Sequence, residues 1–391
     1  MDIGIYFDPV DLEALDFFNG YEHPQRIINQ IWFTNANEEV SLEDMNIAIL
    51  GVPEARYAHK NEGAAFAPDE VRRELYKLFH WKKKVQIIDL GNLKVGKTVE
   101  DTYEVLSDVL SHLIENKVIP VILGGSNDLA FANYLAYEKL EHVVNVVAVD
   151  ACFDLGNEET PIASNAYLNK MILQQPNYLL NYANIGYQTY MNSQDSIELM
   201  DNLFFETYRV GLLRQDMEEV EPIVRNAEMF SLDISAIRRS DAPGNPNASS
   251  NGFYGEEICR VAMFAGISDK LSSFGIYEFN PTFDYNNQTS QLIAHIIWYF
   301  VEGYVNRVGD TIFKDKSLYI KHSVTVSNNI EDLIFYCSKK TARWWMVVPI
   351  SSKKSNGVQK YYLPCSVKDY ELACADVISE RWWKAFNKLN R

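Results

Sequence analysis

The sequence predicts an α/β fold: a parallel sheet with helices on both faces, followed by a small C-terminal appendage. Three observations carry that prediction. Apolar, β-branched runs alternate with helix-period segments from residue 46 to residue 305. Those runs are nearly continuous, as strands buried on both faces require. Beyond residue 310 the texture changes, and aromatic pairs crowd together at Trp344-Trp345, Tyr361-Tyr362 and Trp382-Trp383.

Residues 1–45 show no clear period and read as an irregular lead-in with room for one short helix. Residues 46–50 (N-I-A-I-L) make a strand closed by Gly51 and Pro53. Pro68 suits a first helical turn, Asp69 and Glu70 favour the positive end of the helix dipole, and Val71, Leu75 and Leu78 supply an apolar stripe. Residues 85–90 form the next strand, stopped by Gly91. Thr98 with Asp101 resembles a capping box, and Tyr103, Leu106, Val109, Leu110, Leu113 and Ile114 keep helical spacing to Lys117. Residues 118–123 run as a strand into Gly124-Gly125, and a helix follows, A-F-A-N-Y-L-A. The central strand is the run Val143, Val144, Val146, Val147 and Val149, broken only by Asn145. This alternation argues for βαβ units with right-handed crossovers.

Residues 165–173 read as a helix, 184–187 and 208–213 as short strands. Residues 229–235 place Ser231, Asp233 and Ser235 at alternating positions, the period of a strand. The loop at 236–252 is long and rich in turn residues, a frequent sign of function. A helix at 256–264, a strand at 274–278 ending in Glu278, and an apolar helix at 291–305 complete the main unit, taken as 46–309. In the appendage, 310–391, the segments D-L-I-F-Y-C and W-W-M-V-V-P look like a hairpin and the last twenty residues look helical. Trp344, Trp345, Trp382 and Trp383 are expected to be mostly buried, because clustered aromatics seek cover.

Composition narrows the function classes. A formal charge of -17 over 391 residues disfavours nucleic acid and anionic membranes as partners. No stretch approaches the roughly 18 apolar residues that span a bilayer. The first ten residues carry acids where a signal peptide carries bases, so a cytoplasmic protein is expected. The five cysteines lack paired zinc-type spacing and fit reduced thiols.

If extension continues past Val149, Asp150, Cys152 and Asp154 point to one side. They would lie at the C-terminal end of a parallel strand, where open α/β sheets place ligands. Such a trio looks like part of a metal site; the plain alternative is two acids in a loop. The strand-end segments, taken in order, resemble the motifs of the ureohydrolase family: arginase, agmatinase and formiminoglutamase. Gly124-Gly125-Ser126-Asn127-Asp128 stands for the family's G-G-D-H-S, and Asp150-Ala151-Cys152-Phe153-Asp154 for D-A-H-x-D. Ser231-Leu232-Asp233-Ile234-Ser235, with Arg238-Arg239 and then Ala242-Pro243-Gly244, stands for S-x-D-x-D followed by D-P and A-P-G. Glu278-Phe279-Asn280-Pro281 keeps E-x-N-P whole, and Ala67-Pro68-Asp69-Glu70-Val71-Arg72 is a weak form of G-P-x-x-I-R. Residues 164–172 look most like the formiminoglutamase branch.

The resemblance implies an arginase-like three-layer fold and a centre in which two manganese ions activate water to hydrolyse a guanidinium or formimino carbon. Carried over by position, the first ion would sit on Asn127, Asp150, Asp154 and Asp233. The second would share Asp150 and Asp233 and add Cys152 and Ser235. Asp154 and Glu278 occupy positions where the family has catalytic groups. Asn127 and Cys152 stand where the family has His, and Ser235 where it has Asp; none of the seven histidines falls in these motifs. Neutral or soft replacements suit a hard cation poorly, so at most one divalent ion per chain is expected, manganese or another, or none. Arg238, Arg239 or Lys170 is expected to neutralise part of the acid cluster; the alternative has both arginines in solvent. Three functions stay open: a binding or regulatory protein with an eroded centre, a C–N hydrolase of a guanidino or formimino compound, and a structural subunit. The expected partners are a small guanidino or formimino ligand and further copies of the chain, since the family forms trimers or hexamers.

Overall fold

The structure is a computed structural model that describes residues 2–15, 23–35, 39–156, 163–310, 315–327, 332–350 and 359–390. The main sheet takes ten strands: β1 (Phe7–Asp8), β2 (Ile31–Phe33), β3 (Ile47–Val52), β4 (Ile87–Leu93), β5 (Ile119–Gly124), β6 (Val144–Val149), β7 (Leu179–Tyr187), β8 (Glu206–Arg209), β9 (Met229–Asp233) and β10 (Ser273–Tyr277). Their order is β1-β4-β3-β5-β10-β9-β6-β7-β8, with β2 also on β4, and only the β1–β4 pairing is antiparallel. The helices of the main unit are α1 (Ala67–Leu75), α2 (Val99–Glu115), α3 (Leu129–Lys139), α4 (Tyr167–Leu173), α5 (Gln194–Asn202), α6 (Val210–Leu213), α7 (Val220–Arg225), α8 (Gly255–Ile267) and α9 (Gln288–Val305).

The continuous apolar runs have the consequence expected of them. In β3, Ile47 and Ile49 join one core while Ala48, Leu50 and Val52 join the other. In β6, Val147 and Val149 face the first core and Val144, Val146 and Ala148 the second. Each fully buried Val or Ile contributes roughly 1.5–3 kcal/mol. Residues of α1, α7, α8 and α9 fill the first core, and α2, α3 and α4 the second, giving three layers. Asn145 is tolerated in β6 because its backbone N–H and side-chain amide both donate to Glu228 Oε2, at 2.8 and 2.9 Å. β10 lies between β5 and β9, and Phe274 stacks between Phe230 and Phe300 at centroid distances of 4.8 and 4.2 Å.

A buried ion pair ties α1 to β4. Arg72 and Asp89 are fully buried, with two hydrogen bonds of 2.9 Å between them. Arg72 also reaches the Gly91 carbonyl at 2.9 Å and Asn92 Oδ1 at 2.5 Å, and the Tyr76 hydroxyl donates to Asp89.

The C-terminal part folds as β11 (Tyr319–Val324), β12 (Leu333–Ser338), β13 (Trp344–Ile350) and β14 (Gln359–Cys365), an antiparallel sheet in that order, with α10 (Val367–Cys374) and α11 (Glu380–Leu389). The expected hairpin is β12–β13, with Phe335 opposite Met346. The sheet docks on α7, and α11 lies against the β7–β8 side. Arg225 lies over the Trp345 ring at 4.4 Å and donates to the Trp344 carbonyl at 3.1 Å. Tyr361 donates to Asn226 at 2.9 Å, and Lys384 to the Phe205 carbonyl at 3.1 Å. Trp345 and Trp382 are buried, Trp344 is half-buried, and Trp383 is 44% exposed, so the expected burial holds for part of the set.

Two further expectations are corrected. The lead-in contributes β1 and β2, which extend the sheet beyond β4; its residues 16–22 and 36–38 lie outside the described residues. The strand expected at 208–213 ends at Arg209 and turns into α6. Among the described residues no helix is long and apolar enough to cross a membrane.

Candidate metal centre

Four neighbouring strand tips build the centre. β5, β10, β9 and β6 are consecutive in the sheet, and the segments leaving them carry Asn127, Glu278, Asp233, and Asp150 with Asp154. Gly125 is required where β5 ends, because a Cβ there would stand 1.9 Å from the Glu54 carbonyl oxygen. That close approach lets the Ser126 N–H bond the same carbonyl at 3.0 Å and fixes the turn. The Asn127 N–H then donates to Glu278 Oε1 at 2.8 Å. Glu278 sits at φ 67°, a strained value for a side-chain-bearing residue. It is held there by Asn61, whose amide donates to Glu278 Oε2 at 2.7 Å and to its carbonyl at 3.0 Å, and by Asn245 at 2.8 Å.

Asp150, Asp154 and Asp233 converge, with one carboxylate oxygen from each lying within 4.8 Å of the others. The route differs from a continued strand. β6 ends at Val149, the chain turns, and Asp154 takes φ 50° to swing back. β9 likewise ends at Asp233 and enters a short 3-10 turn that contains Ser235. Asp150 Oδ1 accepts from the Cys152 N–H at 2.8 Å and Asp233 Oδ1 from the Ser235 N–H at 2.6 Å. The Asn127 side-chain amide faces all three acids, 3.0 Å from Asp154 Oδ2, 3.4 Å from Asp150 Oδ2 and 3.5 Å from Asp233 Oδ2.

Burial and mutual repulsion make these poor acids. Burial pushes Asp154 up to about 6, and burial followed by the Asp154 charge pushes Asp233 up to about 7. Asp150 is raised well above the usual carboxylate range by burial, then by Asp154 and Asp233. A carboxylate raised in the fold stabilises the native state while protonated, and that contribution fades as pH climbs through the folded-state value. Chelated protein is therefore expected to lose stability as pH rises from about 4 to about 7. Melting curves across that range, against a variant with all three changed to Asn, check this; equal pH slopes would refute it.

Other sequence-derived candidates fall elsewhere. Arg238 pairs with Asp241 at 2.7 Å and stacks on Tyr254 at 3.9 Å, and Arg239 donates to the Pro246 carbonyl at 3.0 Å. The loop turns away because the Arg238 N–H bonds the Phe253 carbonyl, at 3.1 Å. Lys170 lies half-buried on α4, and among the described residues no ion pair joins it to the cluster. The expected neutralisation by a cationic side chain is thus corrected: the group that faces the acids is an uncharged amide, Asn127, which contacts them without cancelling their charge. Cys152 lies outside the three-acid group; burial and the neighbouring Asp150, Asp154 and Asp233 push its thiol well up. Sequence reasoning missed Asn61 and Asn245, whose amides carry no pattern of their own. It also passed over Asp128, which is buried, raised to about 6 by desolvation, and bonded by the Tyr103 hydroxyl.

A sequence profile of the arginase family matches residues 45–302. The chain belongs to the arginase family. Its relatives in that family include the formimidoylglutamase of Staphylococcus haemolyticus, 24% identical over 290 residues, covering 71% of this chain and 92% of the relative. The Bacillus subtilis formimidoylglutamase is 22% identical, covering 66% and 86%. Among solved structures of the family fold, Trypanosoma cruzi formiminoglutamase with manganese superposes with a TM-score of 0.65 at 19% identity, covering 72% of this chain and 99% of that one. The agmatine ureohydrolase of Thermoplasma volcanium gives 0.58 at 19% identity, covering 75% and 97%. These place the chain in the ureohydrolase family near formiminoglutamase. The family match ends before β11, so the C-terminal sheet lies beyond it.

Proposed function

We propose that this ureohydrolase-family protein holds at most one divalent cation per chain, hydrolyses linear amidines weakly or not at all, and serves to bind a small guanidino or formimino ligand. The observation that carries this reading is the makeup of the second metal position. Its two non-bridging groups are a soft thiol and a neutral hydroxyl, both poor ligands for a hard cation, and Oδ1 of each bridging acid accepts from a backbone N–H.

The first position does fit a hard cation. Asp150, Asp154 and Asp233 offer three oxygens, and the Asn127 carbonyl oxygen is buried without a hydrogen-bond partner. Turning that amide over exchanges Nδ2 for Oδ1 and offers a fourth oxygen. A bound cation would polarise a C–N group or acidify a water. The residues themselves do the rest. Glu278 keeps Asn127 facing the acids, and its carboxyl, raised to about 8 by burial and then by Asp233, is a weak partner for a guanidinium.

Metal analysis of purified protein beside a product assay on arginine, agmatine and formiminoglutamate tests the reading. At most one ion per chain and negligible turnover with added manganese are expected. Asn127→His, Cys152→His and Ser235→Asp together should raise manganese occupancy. Two tightly held ions, with turnover well above an Asp150→Ala control, would instead favour a second reading, a formimino hydrolase, which the formimidoylglutamases among the relatives support.

A further inference from the structure

We infer that Asn61 is a positioning residue for the cation site: by clamping the Glu278 carboxyl it sets the direction in which the Asn127 amide points. This role presupposes the single cation proposed for the first position. It extends that site to a segment that contributes no ligand, the stretch between β3 and α1. There Asn61 lies 1% exposed at the start of a short 3-10 turn.

The Asn61 amide carries two N–H groups, and both go to one residue. One donates to Glu278 Oε2 at 2.7 Å and the other to the Glu278 carbonyl at 3.0 Å. Tying a side chain to its own backbone in this way leaves the Glu278 carboxyl one orientation. Asn61 Oδ1 accepts from the Asn280 amide at 2.8 Å, so the clamp cannot turn over without setting one NH2 group against another. Gly63 permits the approach, because a Cβ there would stand 2.4 Å from Asn280 Oδ1.

The orientation matters at the other carboxyl oxygen. Glu278 Oε1 accepts from the Asn127 N–H at 2.8 Å, and the Asn127 amide then faces Asp154 at 3.0 Å. Among the described residues Asn61 makes the one hydrogen bond to Glu278 Oε2. Without it the carboxyl is free to swing, and the hold on Asn127 goes with it. Groups that orient a metal ligand are worth about 10–100-fold in metal affinity. Asn245 offers the contrast. It bonds the same carbonyl at 2.8 Å and gives its Oδ1 to the Asn247 N–H at 2.7 Å, so it holds the Glu278 backbone and leaves the carboxyl alone.

The test titrates manganese into chelator-treated, full-length protein and reads the free ion by its electron paramagnetic resonance signal. Asn61→Ala is expected to weaken manganese binding about tenfold or more. Asn245→Ala is expected to lower the melting temperature of the chelated protein as much, while weakening manganese binding far less. If Asn61→Ala fails to fold, Asn280→Ala, which removes the donor that orients the Asn61 amide, carries the test in the same direction. Unchanged affinity in Asn61→Ala, equal affinity losses in Asn61→Ala and Asn245→Ala, or an unmodified chain that binds no manganese would each overturn the assignment of Asn61 and leave the limit of one cation per chain standing. Two ions on the unmodified chain would sink that limit and the assignment with it.

Discussion

Arg72→Met is expected to destabilise the protein by about 3–5 kcal/mol, the cost of removing one partner from a buried ion pair. The substitution keeps the length of the side chain but strands Asp89, which is fully buried and also accepts from Tyr76 and from the Gly91 N–H at 2.9 Å. It also frees Asn92 Oδ1 and the Gly91 carbonyl. Removing both charges with Arg72→Met and Asp89→Leu should cost much less than the sum of the single changes, since no buried charge is left without a partner. Urea denaturation of the two single variants and the pair gives the cycle. Additive losses would show that the pair acts through packing alone.

Cutting the chain after residue 309 is expected to produce a protein that aggregates and melts lower than the full chain. The missing segment covers more than apolar surface. Arg225 would lose its stacking on Trp345 and its bonds to the Trp344 and Cys365 carbonyls. Asn226 would lose Tyr361, and Asn181 would lose Lys388. Each buried polar group left alone costs about 1–3 kcal/mol. The Phe205 carbonyl, just before the edge strand β8, would lose its bond from Lys384. Sedimentation velocity and thermal melting decide the matter. A truncated chain that sediments as a single species and melts with the full protein would show that the C-terminal sheet is an independent passenger.

Much of the fold could be read from apolar runs, because strands buried on both faces leave a local record. Val144 to Val149 is such a record, and even its flaw, Asn145, has a partner far off in sequence, Glu228. β1 and β2 left none: two or three residues are too few to show a period. The three acids were legible as types at strand ends. How they meet was not, since convergence depends on the positive φ of Asp154 and on β9 lying beside β6. The same gap explains the arginines. Arg238 is close to Asp233 in sequence, but the bond from its N–H to Phe253 carries it out to Asp241. The weak early signature proved informative for another reason, because its Arg72 is the buried partner of Asp89.

The place of β10 in the sheet has a consequence for how the chain is made. β3, β4 and β5 pair among themselves, as do β6, β7, β8 and β9, and among the described residues β10 is the strand that joins the two groups. It is also the last strand of the main sheet to leave the ribosome. Without β10 the native pairings divide into two half-sheets, each with an open parallel edge, and no strand holds the Asn127 and Asp233 tips together. Long-range parallel pairing of this kind is slow. β10, with Phe274 between Phe230 and Phe300, is the strand that makes the halves one body and brings the Asn127 tip against the three acids that β6 and β9 hold.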